Sequence, residues 1–307
     1  MAPQPIDYSV VVPTLGGRAT LSRCLGCVAA QTRLPAEVIV VAVEGASVDI
    51  PAGVRLLYRP ASTSGQRNAG ARLASTPVVL FVDDDVLLDP DFGEAMLAVW
   101  ERAGIENVAG VVGTIPKAWE LRLSRRILRA ALGQSHVALL RRRRTRLMAG
   151  GNIAFVAAPR EDEDVEFAGT ACVSYRRDLV LEGPFDEPVG GYVLGEDLDM
   201  SARAARRGRL IHTPRARARL EKVTRGLRDD ASGALQRGRL YAFYRGRYCA
   251  PGVIGRLAWE WANFGELAIL VAKSMRRRDP KIAGAYLAGL HEARARLSAE
   301  SVTGEWR

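Results

Sequence analysis

Three consecutive carboxylates, Asp83 to Asp85, directly follow the apolar run Val78 to Val82. Side chains of like charge repel one another at this spacing, so a positive charge is expected beside them. Asp83 and Asp85 are separated by one residue, which lets their oxygens reach the same hard divalent cation. Mg²⁺ and Mn²⁺ take such oxygen ligands and complete their shell with water and substrate phosphates. The stretch therefore predicts a divalent metal bound together with a diphosphate, and a solvated acidic turn is the alternative.

A second acidic pair, Glu196 and Asp197, opens a predicted helix that ends near Gly208. An anion at a helix N-terminus is stabilised by the unpaired backbone N–H groups and by the helix dipole. Taken alone, the pair is interpreted as a helix cap.

Short apolar, β-branched runs alternate with helical patterns over about the first 110 residues. The patterns predict strands at 9–12, 38–43, 54–58, 78–82 and 108–112, and helices at about 18–30, 65–74 and 91–103. Such alternation is typical of an α/β fold, with a mostly parallel central sheet covered by helices on both faces. Ligands of these sheets bind beyond the carboxyl ends of the strands, which is where the three aspartates are expected.

The second half of the chain begins with a basic amphipathic segment at residues 119–148. A strand-like run at 167–178 and a glycine-rich loop then precede the helix that starts with Glu196. From about residue 230 the pattern is helical to the end, with breaks at Pro251 and Pro280. A long apolar helix at 252–275 predicts a docking, dimer or membrane-surface element, and these alternatives stay open.

Five motifs occur in a fixed order along the chain. They are "SVVVPTLGGRATLSRCLGCVAAQT", "SGQRNAGARLAS", "FVDDDV", "FAGTACVSYRRDLVLEGPFDE" and "GEDLDMSARAARRG". In this order they resemble the inverting, nucleotide-sugar-dependent glycosyltransferases of family 2, which have the A-type glycosyltransferase fold. The resemblance covers about residues 8–220. It implies a single Rossmann-like catalytic domain at 1–225, with a donor half at about 1–115 and an acceptor half at about 116–225. A C-terminal helical extension then covers residues 226–307.

The resemblance implies an enzyme that moves a single sugar from a nucleoside-diphosphate sugar to an acceptor nucleophile, with inversion. The acceptor classes left open are polysaccharide, lipid-linked and natural-product acceptors. Asp83 and Asp85 would hold Mn²⁺ or Mg²⁺. An inverting transfer is one in-line displacement, so a carboxylate must accept the acceptor's proton. Asp197 occupies the matching position, and Glu196 is the fallback base or an acceptor-binding group.

The resemblance also implies binding residues. Those on the nucleotide side are Pro13, Thr14, Arg18, Glu44, Arg67, Asn68, Asp83 and Asp84, and those on the acceptor side are Gly169, Thr170 and Glu196.

Two positions depart from the family pattern. Ala42 and Val43 stand where an acidic pair usually reads the base, so either Glu44 substitutes or base recognition is unusual. Leu220 stands about where a metal-binding histidine often falls. His212 comes too early for that role and is predicted to be a strand residue. The resemblance also implies that a basic residue near Arg245 and Arg247 approaches the donor diphosphate.

The net charge of +10 is concentrated in two segments. Residues 119–148 hold nine arginines against one acid, and residues 203–247 hold fourteen basic residues against three acids. This pattern fits an anionic partner such as donor phosphates, an anionic membrane or nucleic acid, or else a solvated basic surface. Sparse aromatic residues in both segments disfavour nucleic acid. Residues 119–148 either lie on an anionic membrane or pack on the domain.

The four cysteines are too few and too scattered for a disulfide scaffold, which predicts a reducing, cytoplasmic environment. Peripheral placement at the inner face of a membrane stays open, as does a homodimer through the C-terminal helices. Cys24 and Cys27 fall on the apolar stripe of a predicted helix and are interpreted as core residues. The sequence shows neither a signal peptide nor a spanning helix.

Two other functions remain as alternatives. A sugar nucleotidyltransferase also uses carboxylates and metal on a similar sheet, and it would release pyrophosphate instead of a nucleoside diphosphate. A non-catalytic, glycosyltransferase-like protein would bind anionic lipid or nucleic acid in a salt-dependent way, without hydrolysing a donor.

Overall fold

The computed structural model describes residues 5–16, 19–116, 127–128, 130–133, 145–154, 156, 158–187, 194–221 and 230–303. The chain divides into two compact units. The first comprises Met1–Trp119, Ala157–Gly191 and Met200–Val223, and the second comprises Glu120–Val156, Tyr192–Asp199 and Thr224–Arg307.

Strands and helices alternate through most of the chain. The strands are β1 (Tyr8–Thr14), β2 (Glu37–Val43), β3 (Arg55–Arg59), β4 (Val78–Val82), β5 (Val86–Leu88), β6 (Val108–Thr114), β7 (Arg146–Leu147), β8 (Ile153–Ala154), β9 (Glu163–Asp164), β10 (Cys172–Arg176) and β11 (Arg209–Leu220). The helices are α1 (Ala19–Ala29), α2 (Thr63–Leu73), α3 (Phe92–Ala103), α4 (Arg177–Glu182), α5 (Glu196–Ala204), α6 (Ala231–Gln236), α7 (Ala242–Arg247), α8 (Gly252–Arg277) and α9 (Lys281–Thr303). A 3₁₀ turn covers Ile105–Asn107, and a π-helical turn at Arg237–Tyr241 joins α6 to α7.

The central sheet of the first unit has the strand order β3-β2-β1-β4-β10-β6-β11-β5, with β9 paired to β11. Strands β3, β2, β1 and β4 run parallel. Strand β10 is inserted antiparallel between β4 and β6, while β11 runs parallel to β6. The predicted α/β fold with a mostly parallel sheet is therefore confirmed. The carboxyl ends of β1, β2 and β4 meet at one edge.

The burial of the strands explains why the sequence pattern predicted them. All five residues of β4 are buried, because helices cover both faces of the sheet. Alternate residues of β1 serve different cores, since successive side chains of a strand point to opposite faces. Val10 and Val12 belong to one hydrophobic cluster, and Val11 belongs to the other together with Phe81. The five strands and three helices predicted for this half are all present.

Strand β11 continues through a proline that would interrupt an ordinary ladder. Its pairing with β6 shifts between His212 and Arg217, which places Pro214 in an irregular stretch where a missing N–H group is tolerated. His212 is a buried strand residue, as predicted. Thr114 Oγ1 donates to the carbonyl of Thr213 at 2.9 Å and therefore accepts from His212 Nε2, also at 2.9 Å. Burial lowers the pKa of His212 from 6.5 to about 4.

This buried histidine predicts a loss of stability at mildly acidic pH. Its pKa is lower in the folded chain than in the unfolded chain, so the unfolded chain binds the proton more readily. The stability that His212 contributes is full above pH 6.5 and is lost as the pH falls towards 4. The difference corresponds to about 3 kcal/mol. We expect His212→Gln to flatten the fall in Tm across this pH range, measured by thermal unfolding. Parallel pH profiles for both proteins would contradict the assignment.

The second unit is mostly helical. The helical pattern predicted from about residue 230 is present as α6 to α9, with Pro251 at the N-cap of α8 and Pro280 between α8 and α9. The unit also includes the β7–β8 hairpin and residues 192–199. The boundary between a catalytic domain and an extension at residue 225 stays a prediction. Within the described residues, no helix is both long enough and apolar enough to cross a membrane.

Arg245 lies in the interior of the second unit and is fully buried. Its guanidinium donates to Asn152 Oδ1 at 2.9 Å and to Asn263 Oδ1 at 2.7 Å, and it lies 4.6 Å from the centre of the Tyr241 ring. These contacts join the β7–β8 segment, α7 and α8. The resemblance implied that a basic residue near this position contacts the donor diphosphate. The guanidinium of Arg245 instead packs inside the second unit.

Candidate active site

The carboxyl edge of the parallel strands is fixed by a buried glutamine on α2. Gln66 Nε2 donates to the carbonyl of Thr14 at 2.8 Å and to that of Val41 at 2.6 Å. Thr14 is the last residue of β1, and Val41 lies two residues before the end of β2, paired in parallel with Pro13. Gln66 therefore holds the two strand ends in register where a ligand is expected.

Asp83, the first carboxylate of the acidic turn, has a positively charged partner from the chain itself. Arg67 donates to Asp83 Oδ1 at 2.9 Å, and the Arg67 side chain is only 3% exposed. The guanidinium also lies 5.8 Å from the centre of the Phe185 ring. The positive charge expected beside the aspartates is thus supplied in part by Arg67. A cation bound here would share Asp83 with it.

The other two carboxylates have different surroundings. Asp84 is buried, and its Oδ2 accepts a hydrogen bond from Thr14 Oγ1 at 2.6 Å. Asp85 is half-buried, and its carbonyl accepts from the backbone N–H of Glu221 at 2.8 Å. Thr14 and Asp84 therefore connect the end of β1 to the acidic turn. Asp85 stands next to the end of β11.

The end of β11 supplies an apolar residue and an ion pair to the acidic turn. Leu220 pairs with Val86 and is 45% exposed. It occupies the position where the resemblance led us to look for a metal-binding histidine. The next residue, Glu221, accepts from Arg23 at 2.8 Å.

The loop before β10 also contacts the acidic turn. The backbone N–H of Asp83 donates to the carbonyl of Ala171 at 3.0 Å. Gly169 and Thr170 directly precede Ala171, so this hydrogen bond brings their segment near Asp83. Thr170 is buried and Gly169 is half-buried. A Cβ atom added at Gly169 would meet nothing closer than 3.9 Å, so space is open beside it. Burial raises the pKa of the neighbouring Cys172 thiol to about 12, and the charge of Asp83 adds to this shift.

Asn68 uses its side chain to hold another segment of the first unit. Its Nδ2 donates to the carbonyl of Phe185 at 2.8 Å and to Glu187 Oε1 at 2.7 Å, and its Oδ1 accepts from the N–H of Phe185 at 2.9 Å. Both ends of the amide are therefore occupied within the protein. Asn68, expected from the resemblance to contact the nucleotide, positions residues 185–187.

An open depression of about 450 Å³ lies beyond the ends of β2 and β3. Its lining comprises Glu44, Gly45, Ala46, Ser47 and Tyr58. Glu44 is exposed, and its N–H donates to the carbonyl of Arg59 at 2.9 Å. Sequence reasoning missed Tyr58, although an aromatic residue near the end of β3, opposite Ala42, was a readable signal. Arg18, the remaining nucleotide-side candidate, lies outside the described residues.

Glu196 and Asp197 begin α5, as predicted, and both are assigned to the second unit. Gly195 precedes them with φ of +93°, and a Cβ atom there would lie 2.7 Å from the Tyr244 ring. This position therefore requires glycine. Glu196 is buried and Asp197 is half-buried. Asp197 Oδ1 accepts from the N–H of Leu198 at 2.8 Å, as expected of an anion at a helix start.

Asp199, to which the sequence assigned no role, anchors the start of α5. It is buried and accepts from Tyr248 Oη at 2.6 Å, and Arg247 lies 3.5 Å away. Arg247 also approaches Glu300 at 3.7 Å. Because Asp199 is held by the segment after α7, the orientation of the α5 N-terminus depends on the C-terminal helices. Nothing in the local sequence distinguished this aspartate from its neighbours.

The sequence model described as "Glycosyl transferase family 2" matches residues 9–160. Residues 9–160, just under half of the chain, are thus similar to glycosyl transferase family 2. The family 2 match includes the acidic turn, Thr14, Glu44, Arg67 and Asn68. It ends before Gly169 and before the acidic pair on α5, so the acceptor-side residues depend on the geometry alone.

Curated relatives and solved structures agree with this assignment. Validoxylamine A glucosyltransferase of Streptomyces hygroscopicus subsp. limoneus is 38% identical over 106 residues, covering 29% of this chain and 23% of that protein. The enzyme of the same name from subsp. jinggangensis is 37% identical over 106 residues, covering 29% of this chain and 24% of that protein. The matched region thus spans about a quarter of the length of these relatives.

Two solved structures share the fold. The mannosyltransferase PcManGT from Pyrobaculum calidifontis, in complex with GDP-Man and Mn²⁺, has a TM-score of 0.51 and 16% identity, covering 98% of this chain and 87% of that chain. GalNAc-T7 with UDP, GalNAc and Mn²⁺ has a TM-score of 0.53 and 12% identity, covering 90% and 58%. At these identities the likeness establishes the A-type glycosyltransferase fold.

The family 2 domain offers a limited set of ligands for a divalent cation. Among the residues that the structure describes, no three His, Cys, Asp or Glu side chains are grouped as a metal site. Asp83 shares one oxygen with Arg67, and Asp84 accepts from Thr14. Asp85 and the second oxygen of Asp83 fit a Mg²⁺ or Mn²⁺ ion whose remaining ligands are water and donor phosphates. This donor set is consistent with an ion that binds mainly together with its nucleotide.

Proposed function

We propose that the chain is a glycosyltransferase that moves one sugar from a nucleoside-diphosphate sugar to an acceptor nucleophile with inversion, using Mn²⁺ or Mg²⁺. The observation that carries the proposal is the acidic turn, Asp83 to Asp85, at the carboxyl edge of β1, β2 and β4 within a family 2 domain. Two further findings support it. The curated relatives are named as glucosyltransferases, and the two structural neighbours are complexes with GDP-mannose or UDP and Mn²⁺.

The nucleotide is proposed to bind along the edge formed by β1, β2 and β3. The depression lined by Glu44 and Tyr58 suits the base, because it combines an exposed aromatic ring with a hydrogen-bond acceptor. Pro13 and Thr14, at the end of β1, are proposed to form a floor beside this depression. Asp84 completes that floor through its hydrogen bond with Thr14.

The diphosphate is proposed to lie at Asp85, beside the outer oxygen of Asp83. A divalent cation held there would neutralise the charge that grows on the leaving diphosphate as the sugar bond breaks. Arg67 fixes Asp83 from the buried side and Asn68 fixes residues 185–187, so both act as positioning residues. This revises the direct nucleotide contacts that the resemblance implied for them.

The acceptor is proposed to approach the sugar on the face opposite the diphosphate. The acceptor oxygen forms a bond to the anomeric carbon while the bond from that carbon to the diphosphate oxygen breaks. The acceptor's proton goes to the carboxylate of Asp197, and the nucleoside diphosphate leaves. Glu196 is proposed to bind the acceptor, and Gly169 and Thr170 are proposed to contact it as well.

Thermal unfolding with nucleoside diphosphates tests the donor half of this proposal. We expect a nucleoside diphosphate to raise Tm by several degrees in Mn²⁺ and much less in a chelator, because ligand at about a hundredfold excess over Kd stabilises by about 2.7 kcal/mol. Comparing the bases separately would identify the nucleotide. Equal Tm values for every nucleotide, with and without the metal, would contradict a metal-assisted donor site.

Product analysis separates this proposal from the alternative of sugar nucleotidyl transfer. Incubation with the stabilising nucleotide's sugar conjugates is expected to release nucleoside diphosphate slowly, since water can replace the acceptor. Release of pyrophosphate from a nucleoside triphosphate and a sugar phosphate would favour the alternative.

A further inference from the structure

Helix α8 carries an exposed apolar stripe, here called the α8 stripe. It consists of Ile254, Leu257, Trp261, Phe264, Val271 and Met275, each at least 41% exposed. The members follow one another at intervals of three, four or seven residues, so at 100° per residue they fall within an arc of about 100°. The helix has 26 residues and is about 39 Å long, and the stripe follows nearly its whole length.

The opposite face of α8 packs within the second unit. Its buried members include Gly255, Trp259, Ala262, Asn263 and Leu270. Trp259 Nε1 donates to the carbonyl of Ala242 at 2.9 Å, and Asn263 binds the buried Arg245. Burial on this face accounts for the position of the helix. Packing of that face does not explain why α8 has a second apolar face, which is exposed to solvent in the part of the chain that the structure describes.

Two aromatic rings lie at the middle of the α8 stripe. Trp261 and Phe264 are stacked, with ring centres 5.5 Å apart and an interplanar angle of 28°. The indole N–H of Trp261 donates to the carbonyl of Ala131 at 3.1 Å, so its polar atom is satisfied by the protein. The exposed residues Ile127 and Leu128 precede Ala131 and add to the apolar surface of this unit.

Arginines lie on both flanks of the α8 stripe, and one acid, Glu260, lies on the same side as Arg256. On the helix, Arg256 and Arg276 lie on opposite flanks, each about 100° from the centre of the stripe. The last turn ends with Arg276 and Arg277, and Arg278 follows. The nearest acid on this side, Glu260, accepts from Arg294 at 2.5 Å. The second unit as a whole contains 24 Lys and Arg against 12 Asp and Glu, a net charge of +12.

We propose that the α8 stripe docks the protein on an anionic lipid surface, with α8 lying in the plane of that surface. An apolar face with cationic flanks is typical of helices that bind at the boundary between headgroups and acyl chains. Interfacial aromatic rings fit the same role. A second copy of the chain is a poorer occupant, because two-fold pairing through the stripe would bring like-charged flanks together. The proposal does not depend on the sugar-transfer activity.

Co-sedimentation of the full chain with lipid vesicles tests this docking surface. We expect binding to vesicles of mixed phosphatidylglycerol and phosphatidylcholine, and little binding to phosphatidylcholine alone. Affinity should fall as salt rises, since the charges are exposed. The double change Leu257→Ser and Phe264→Ser is expected to weaken binding by more than about tenfold, because both side chains would otherwise enter the lipid. Arg256→Gln is expected to weaken it by about fivefold.

Leu34→Ser is the matched control, because Leu34 is 64% exposed on the first unit. It should bind as the unchanged protein does, and Tm values of all variants should be similar. Undiminished binding of the double variant would overturn the proposal, because charge alone would then explain the binding. Light scattering gives a second check. A dimer that the double change dissociates, without vesicle binding by the unchanged protein, would assign the stripe to a second copy instead.

Discussion

Asp197→Asn is expected to slow sugar transfer by about 10²- to 10⁴-fold and to leave donor affinity nearly unchanged. In a single displacement the acceptor's proton must be accepted as the new bond forms, and an amide cannot accept it. The donor binds through its nucleotide and diphosphate, which the proposal places at the acidic turn. The substitution on α5 should therefore leave the affinity for the donor nearly unchanged.

The asparagine variant separates a catalytic role from a capping role. Asp197 Oδ1 accepts from the N–H of Leu198, and an amide oxygen can accept the same hydrogen bond. The helix start should thus be kept, and Tm should change little. Asp199→Asn provides a contrast, since Asp199 is buried against Tyr248 and Arg247. That change should lower Tm, because it weakens the contacts that anchor α5.

The measurements are kcat from nucleoside diphosphate release and the donor Kd from calorimetry. Glu196→Gln is the matched variant, because Glu196 is the fallback base one residue earlier. It is expected to raise the KM for the acceptor more than it lowers kcat. An Asp197→Asn protein with full activity would refute the assignment of the base. If Glu196→Gln alone abolished transfer, the base would be Glu196.

The donor half could be predicted because its signals are local. The apolar run of β4 is buried on both faces, and the charged residues begin where that burial ends, so strand and turn were both visible in the sequence. The strand β10 was visible too, but its antiparallel insertion between β4 and β6 was not. A run of five apolar residues indicates that a strand is buried. The direction of that strand in the sheet depends on the path of the chain before and after it.

The partners inside the site could not be predicted from spacing. Arg67 and Asp83 are 16 residues apart, and Thr14 and Asp84 are 70 apart, so only the folded sheet brings each pair together. The same holds for Asn68, whose partners lie at residues 185–187. Motif positions singled out these residues, and their contacts support the positioning roles proposed for Arg67 and Asn68. Residue type alone does not distinguish a residue that contacts the ligand from a residue that positions such a residue.

Asp85→Asn is expected to remove the Mn²⁺-dependent rise in Tm with nucleoside diphosphate and to slow transfer by about a thousandfold or more. Asp85 is half-exposed and lies after the end of β4, beside the end of β11. Loss of its charge weakens the binding of a cation and hence of the diphosphate that binds with it. Both readouts should change together, unlike those of Asp197→Asn.

The neighbours of Asp85 in the acidic turn have structural contacts that would complicate the same test at their positions. Asp83→Asn would remove the negative charge that pairs with the buried Arg67 and is expected to lower Tm. Asp84→Asn would remove a buried charge next to Thr14, whose hydroxyl donates to Asp84 Oδ2. A loss of activity in either variant would therefore have two explanations, which measurements of Tm without ligand would reveal. If the Asp85→Asn protein kept both its metal-dependent stabilisation and its activity, the diphosphate would have to bind away from the acidic turn. The proposed reaction geometry would then be wrong.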